Sequence, residues 1–485
     1  MKRFNLTTEN WIPLEGGAKA SLLDVFNPET KGLITGNAIQ KISLYKLLFA
    51  IAQDAVKFKD SHEIESNGIE RFGVICTEYL KNHLDCFWLY GEKPFLQYSE
   101  LQNTKVEDRE ILCSYIPDMS AENDTIIRDT QTTPPKDDGE KAVFILGLMS
   151  YALGGKRVSK PELFLKSSDS RGKSAKSAPS LGGGSIAGYQ QSILISDSIL
   201  KTVYLNYFTM DEIAETGCTE NDTLAPWIKM PTLENSEYND NYKKSIFPWF
   251  LAMSRAVLLT DKGIRYCEGI TYTGNWYEPF ITKNDKDRIE LVDTLKKPWR
   301  NLPALLEEAM AVNTSKSKCY AISSHLRKAK TLNKQFGIWS GGLRVRGNSG
   351  DQSIKQDDDF VESSTFFEPN QLGQEYYERY RSIVEEADFC GKVLYSSIRS
   401  YYTDLGFEKK NDLAKNSMNI YWNAMDQLSQ EMATASNTDE ATKALKRYIF
   451  HIILSIYDKE CQRNNGRQLI VWNKNRPLPG KENKK

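Results

Sequence analysis

The chain carries its imidazole chemistry on four histidines, His62, His83, His325 and His451. None has the spacing of a metal pair or a triad. His62 opens HEIES, which lacks the second histidine that a zinc-protease helix needs one turn later. Eight cysteines are scattered with no C-x-x-C pair, so they are expected as reduced thiols rather than as zinc or redox ligands. The segment SSDSRGKS ends like a phosphate-binding loop, but Ser167 stands where the first glycine is required, and no strand pattern precedes it. Asp357, Asp358 and Asp359 could gather a divalent cation; consecutive carboxylates on a strand alternate faces, so an exposed acidic patch is the simpler expectation. An enzyme stays open on these residues alone, with its groups assembled by the fold from scattered Asp, Glu and Lys. One such possibility is a metal-dependent nuclease built on the acidic run.

Charge segregation points elsewhere. The net charge is −1, with 63 basic and 64 acidic residues, yet phosphate responds to local rather than average charge. From Gly154 to Ser180 seven basic residues, including Lys173 and Lys176, meet two carboxylates, a local charge of +5. From Ala309 to Gly350 stand Lys316, Lys318, Arg327, Lys328, Lys330, Lys334, Arg344 and Arg346 without a carboxylate, a local +8. Both blocks are candidate phosphate-contacting surface. A scaffold facing RNA or acidic neighbours would use the same residues.

These residues need elements to hold them. At 485 residues the chain exceeds what one core usually organises. Short strands are expected around WIPL and SLLDVF, and a helix from Ser43 to Val56, where Leu44, Leu47, Leu48 and Ile51 share a face. Another buried helix is expected from Lys141 to Leu153. The polar, basic, glycine-rich stretch that follows reads as a long binding loop before the strand SILIS. From Pro369 onward, stripes such as Leu372, Tyr376, Tyr380 and Ile383 predict four helices, with Trp422 and Ile452 buried and with Asn437 and Glu440 as the N-cap signature of the fourth. The expected fold is α+β: a large mixed α/β domain over 1–365, then a C-terminal four-helix bundle over 366–485. No run is apolar enough to cross a membrane, and the N-terminus lacks the apolar stretch of a secretion signal, so a cytoplasmic chain is expected.

FNLTTENWIPL, SLLDVF, SLYKLLFAIAQ, YGEKPFLQ, APSLGGGS, TYTGNWYEPF, KKPWRNLPALL and GGLRVRGNSGDQSI occur in this order along nearly the whole chain. Together they resemble the CasA family, the large subunit of the type I-E CRISPR surveillance complex Cascade. The resemblance implies a non-catalytic subunit without cofactor. Such a subunit recognises a protospacer-adjacent motif in duplex DNA, helps open the duplex and recruits a helicase-nuclease. Its implied partners are the other Cascade subunits and the 5′ handle of the CRISPR RNA. By the same resemblance, Ser180, Leu181, Gly182, Gly183 and Gly184 correspond to the motif-reading loop. Glycines suit that role, because a minor groove about 6 Å wide admits little beyond backbone. Asn348, Ser349, Gly350, Asp351 and Gln352 correspond to the strand-separating wedge. In the family pattern asparagine and glutamine are adjacent at the tip, whereas here three residues separate them. Lys262 and Arg265 are the nearest counterparts of a motif-supporting lysine, and Ile127 and Arg128 fall in the loop implied to meet the RNA handle.

Overall fold

The computed structural model describes residues 2–113, 133–153, 186–218, 223–231, 237–270, 272, 278–283, 288–310, 319–331, 335–345, 360–368 and 372–478. The chain forms two compact units. One comprises Met1–Thr294, Lys316–Leu332 and Ile338–Glu362; the other comprises Leu295–Ser315, Asn333–Gly337 and Ser363–Lys485. The second unit therefore takes in segments that precede the expected boundary at 365.

The first unit mixes helices with small sheets, as an α+β chain should. Its central helix, Ala38–Ala55, starts five residues earlier than its apolar face alone predicts. Asn37 accepts from the N–H groups of Ile39 and Gln40 while the Gln40 side chain accepts from the Asn37 N–H, a reciprocal cap that extends the helix. The helix is buried almost all round, Lys46 and Gln53 included. The Asp138–Tyr151 helix packs against it. SLLDVF does not form the expected strand. Ser21 and Asp24 cap each other and turn Leu22–Val25 into one helical turn, so local capping overrides the strand that the apolar residues suggest. Gln191–Ile195, Phe336–Leu343 and Phe360–Phe367 make a three-stranded sheet with Phe336–Leu343 in the middle. Arg255–Thr260 and Gly263–Glu268 form an antiparallel hairpin.

In the second unit the expected first two helices are one, Gln374–Leu405, of 32 residues. Its buried stripe runs through Tyr376, Tyr380, Ile383, Ala387, Leu394, Ile398 and Tyr401, the three-and-four spacing of a single helix face. It stops at Gly406, whose φ of +86° closes the helix as a left-handed cap. Against it pack Lys410–Gln427, Ser429–Ala435, Asp439–Glu460, Gly466–Asn475 and the earlier helix Leu302–Met310. The arrangement is richer than four helices. Trp422 and Ile452 are half-buried rather than core: the inward face of Lys410–Gln427 is Ala414, Ser417, Tyr421 and Met425. The cap of Asp439–Glu460 is Thr438, which accepts from the Ala441 N–H, one residue beyond the expected Asn437.

Candidate nucleic-acid interface

Much of the expected interface lies outside the described residues. This holds for Ser180 to Gly184, Asn348 to Gln352, Ile127, Arg128, Lys173, Lys176, Lys334 and Arg346, for the Asp357 to Asp359 run, and for the side chain of Lys330. What the structure gives is the frame from which these segments leave.

The frame around 154–185 is buried and polar. Before it, the Asp138–Tyr151 helix ends with Tyr151 in the core, and the Leu153 carbonyl accepts from Arg255 Nη2 at 2.8 Å. After it, the Ile186 N–H returns to the Ser150 carbonyl at 3.2 Å, and the Gln191–Ile195 strand begins. Lys46 and Glu278 meet beside these ends at 2.5 Å, both side chains wholly buried. Glu278 Oε2 also accepts from the Phe280 N–H at 3.1 Å and from Gln191 Nε2 at 3.5 Å, while the Tyr151 hydroxyl donates to Gln191 Oε1 at 3.4 Å. The Lys46 ammonium lies 5.6 Å from the Tyr151 ring centroid and 5.2 Å from that of Phe280. Burial depresses the Lys46 pKa and raises that of Glu278, and the attraction between the two groups opposes both shifts.

The second basic block does not form one surface. Arg327, on the Tyr320–Thr331 helix, is exposed. Its neighbour Lys328 is not: its ammonium donates to the Tyr207 carbonyl and pairs with Glu212 at 3.4 Å, with 2% and 15% of the two side chains exposed. Helical rotation places Lys328 inward, and it is withdrawn as a phosphate contact. Beside it the His325 ring is fully buried against Phe208, with centroids 4.3 Å apart and no hydrogen-bond partner for either nitrogen among the described residues. Burial, and then the Lys328 charge, hold that imidazole well below its ordinary pKa. Burial would push the Glu212 carboxyl up, but Lys328, the Ser324 hydroxyl and the Thr209 N–H together bring it down to about 2. Arg344 is half-buried and donates to the Thr294 hydroxyl.

Of the two candidate motif-supporting residues, Lys262 sits exposed in the two-residue turn of the Arg255–Glu268 hairpin. Arg265 is committed inside the fold. It clasps Asp108 through Nε at 2.9 Å and Nη2 at 3.2 Å, and its Nη1 donates to the Leu101 and Gln102 carbonyls at 3.2 and 3.1 Å. It is withdrawn as a DNA-facing cation. All eight cysteines are free. Among the described residues no group of three or more His, Cys, Asp or Glu side chains could hold a metal ion, and no helix is long and apolar enough to cross a membrane.

The family model for CRISPR-associated protein Cse1 matches residues 5–456, which decides the kinship. The chain belongs to the Cse1 family. Solved Cse1 structures share its fold. Cse1 of Thermobifida fusca is 17% identical with a TM-score of 0.71, over 97% of this chain and 95% of that one. CasA of Thermus thermophilus is 16% identical with a TM-score of 0.68, over 98% of each chain. A chain of a CRISPR RNA-guided surveillance complex is 15% identical with a TM-score of 0.68, over 98% and 99%. No curated protein sequence matches. Within this Cse1-family fold, the sequence reading missed the Lys46–Glu278 and Lys328–Glu212 pairs. Their partners lie 232 and 116 residues apart, but Lys46 did leave a signal as an ionisable residue inside the apolar run SLYKLLFAIA.

Proposed function

We propose that this chain is the non-catalytic large subunit of a type I-E CRISPR surveillance complex. In that role it recognises a protospacer-adjacent motif in duplex DNA, helps open the duplex and recruits a helicase-nuclease. The observation that carries this is the Cse1 family match, which runs through both compact units. The structural similarity to a chain of an RNA-guided surveillance complex supports assembly with the CRISPR RNA 5′ handle and the other Cascade subunits. Ser180 to Gly184 then read the motif from the minor groove, where glycine backbone can approach base edges closely. Asn348 to Gln352 act as the wedge, offsetting the few kcal/mol that unstacking a base step costs. Ile127 and Arg128 meet the RNA handle. Phosphate contacts come from Lys173, Lys176, Arg327, Lys330, Lys334, Arg344 and Arg346, with Lys262 supporting motif reading; these position the duplex without reading it.

Reading and opening separate experimentally. Gly182→Leu is expected to abolish preference for motif-bearing duplex in a gel shift while binding to other duplexes survives. Replacing Asn348 and Gln352 is expected to leave that preference and to slow opening, seen with a fluorescent base analogue beside the motif. If the Gly182 variant binds and opens motif-bearing DNA like the wild type, the assignment of the loop is wrong. Duplex affinity should also fall with salt, at a log–log slope near −5 for about six phosphate contacts.

A further inference from the structure

The buried cluster of Lys46, Glu278, Gln191 and Tyr151 joins the helix that precedes the 154–185 segment to the strand that follows it. Tyr151 precedes the segment and Gln191 follows it, and the two side chains meet at 3.4 Å. Gln191 is oriented in turn by Glu278, and Glu278 by Lys46, with no part of either ion-paired side chain exposed. Stability does not account for this pair. Dehydrating two charges costs several kcal/mol each, and apolar residues of similar volume commonly serve a core as well or better. What an ion pair supplies and an apolar pair cannot is direction: one ammonium on one carboxylate oxygen leaves the other oxygen for the Phe280 N–H and the Gln191 amide, whose carbonyl takes the Tyr151 phenol. The contacts fix the bearing of the chain as it leaves at Tyr151 and as it returns through Gln191.

We propose that Lys46 and Glu278 are positioning residues for DNA-motif recognition, presetting the two ends of the segment that carries Gly182 and Gly183. This rests on the motif-reading role proposed for those glycines. A preset loop base lowers the ordering cost of binding, and that saving applies only where the loop makes its specific contact.

The test uses the full chain with both charges removed together, Lys46→Met with Glu278→Leu, which keeps volume and strands no ion. Its urea midpoint is expected to match or exceed the wild type, and its affinity for duplex lacking the motif to stay within about twofold. Its preference for motif-bearing duplex is expected to fall at least about tenfold. Tyr151→Phe removes one hydroxyl from the same chain of contacts and is expected to lower the preference severalfold with only a small drop in midpoint, from the lost hydrogen bond to Gln191. Should the double variant fail to fold, Tyr151→Phe alone decides. Full motif preference in the folded double variant, or in Tyr151→Phe where that variant decides, overturns the proposal. Gly182→Leu measured alongside separates the two failures. If it loses preference while the cluster variants keep theirs, only the positioning role falls. If it too keeps preference, the motif-reading assignment falls and the positioning role with it.

Discussion

Lys328 stands 3.4 Å from Glu212 inside the first unit, its ammonium also held by the Tyr207 carbonyl. In the sequence it belongs to the most basic block of the chain, and in the fold it belongs to the core. Lys328→Ala is expected to strand the Glu212 carboxylate and to cost about 3–5 kcal/mol of stability, read as a lowered denaturant midpoint. Arg327→Ala, at the exposed neighbouring position, is expected to cost under about 1 kcal/mol and to weaken duplex binding in a salt-dependent way. Equal stability of the Lys328 variant and the wild type would contradict the buried pair.

The same cluster sets two windows of pH sensitivity. Glu212 is held at about 2, below its ordinary value near 4.5. The unfolded chain therefore binds its proton first, and the stability from this group is full above about pH 4.5 and lost as pH falls towards 2. His325 is also held below its ordinary value of 6.5, so its contribution is full above about pH 6.5 and declines beneath that. Stability is expected to fall in two stages on acidification. His325→Phe should remove the upper stage and Glu212→Gln the lower, measured as melting temperature against pH. A single shared transition in both variants would refute the assignment.

How much of this is legible in the sequence depends on distance along the chain. The Gln374–Leu405 segment is legible as helical because its buried stripe is a local period, although the sequence reading divides it into two helices. Trp422 is harder to place because Met418, Trp422 and Met425 fit a helical face as well as Tyr421 and Met425 do, and only the neighbour decides which is turned inward. Gly391 on the neighbouring helix meets Met418, Tyr421 and Trp422 alike, since a Cβ built there would lie 3.0 Å from Tyr421 Cε1, 3.1 Å from Trp422 Cζ2 and 3.2 Å from Met418 Cε. Of the three only Tyr421 is fully buried. The apolar residues of SLLDVF suggest a strand, while the Ser21–Asp24 pair that decides the matter is a capping signature three residues apart, open to reading in the sequence itself. The basic blocks show the limit of composition. Charge counting finds Arg327 and Lys328 alike, and one residue of helical rotation, about 100°, sends them to opposite environments.

In the second unit, Trp422 is half-buried because Arg300 covers it. The guanidinium carbon lies 3.7 Å from the indole centroid while Nη2 pairs with Asp388 at 2.5 Å, and the adjacent Trp299 donates to Asp426 at 2.7 Å. A planar cation can stack and pair together, whereas an ammonium cannot. Arg300→Lys is expected to cost about 1–2 kcal/mol despite keeping the charge. The polypeptide 366–485, lacking both Trp299 and Arg300, is expected to unfold at lower denaturant than 295–485. An unaltered midpoint in both comparisons would show that the early segment adds nothing to the bundle.

Gly342 in the Phe336–Leu343 strand has no room for a side chain. This strand is buried along its whole length, and a Cβ at Gly342 would lie 2.9 Å from the Tyr189 carbonyl oxygen and 2.8 Å from Val292 Cγ2. Tyr189 cannot yield easily, since its N–H is held by the Ile186 carbonyl at 3.0 Å beside the base of the 154–185 segment. Gly342→Ala is therefore expected to force the backbone apart and cost about 1–3 kcal/mol, the usual cost of overpacking. Gly466 is the contrast: it begins the Gly466–Asn475 helix and has nothing within 4 Å of a Cβ. There, alanine removes conformational freedom from the unfolded chain at no steric cost, so Gly466→Ala should stabilise by about 0.4–1 kcal/mol. Opposite shifts of the unfolding midpoint from the same one-methyl change would show that Gly342, beside Tyr189, is required by close approach, and equal shifts would refute it.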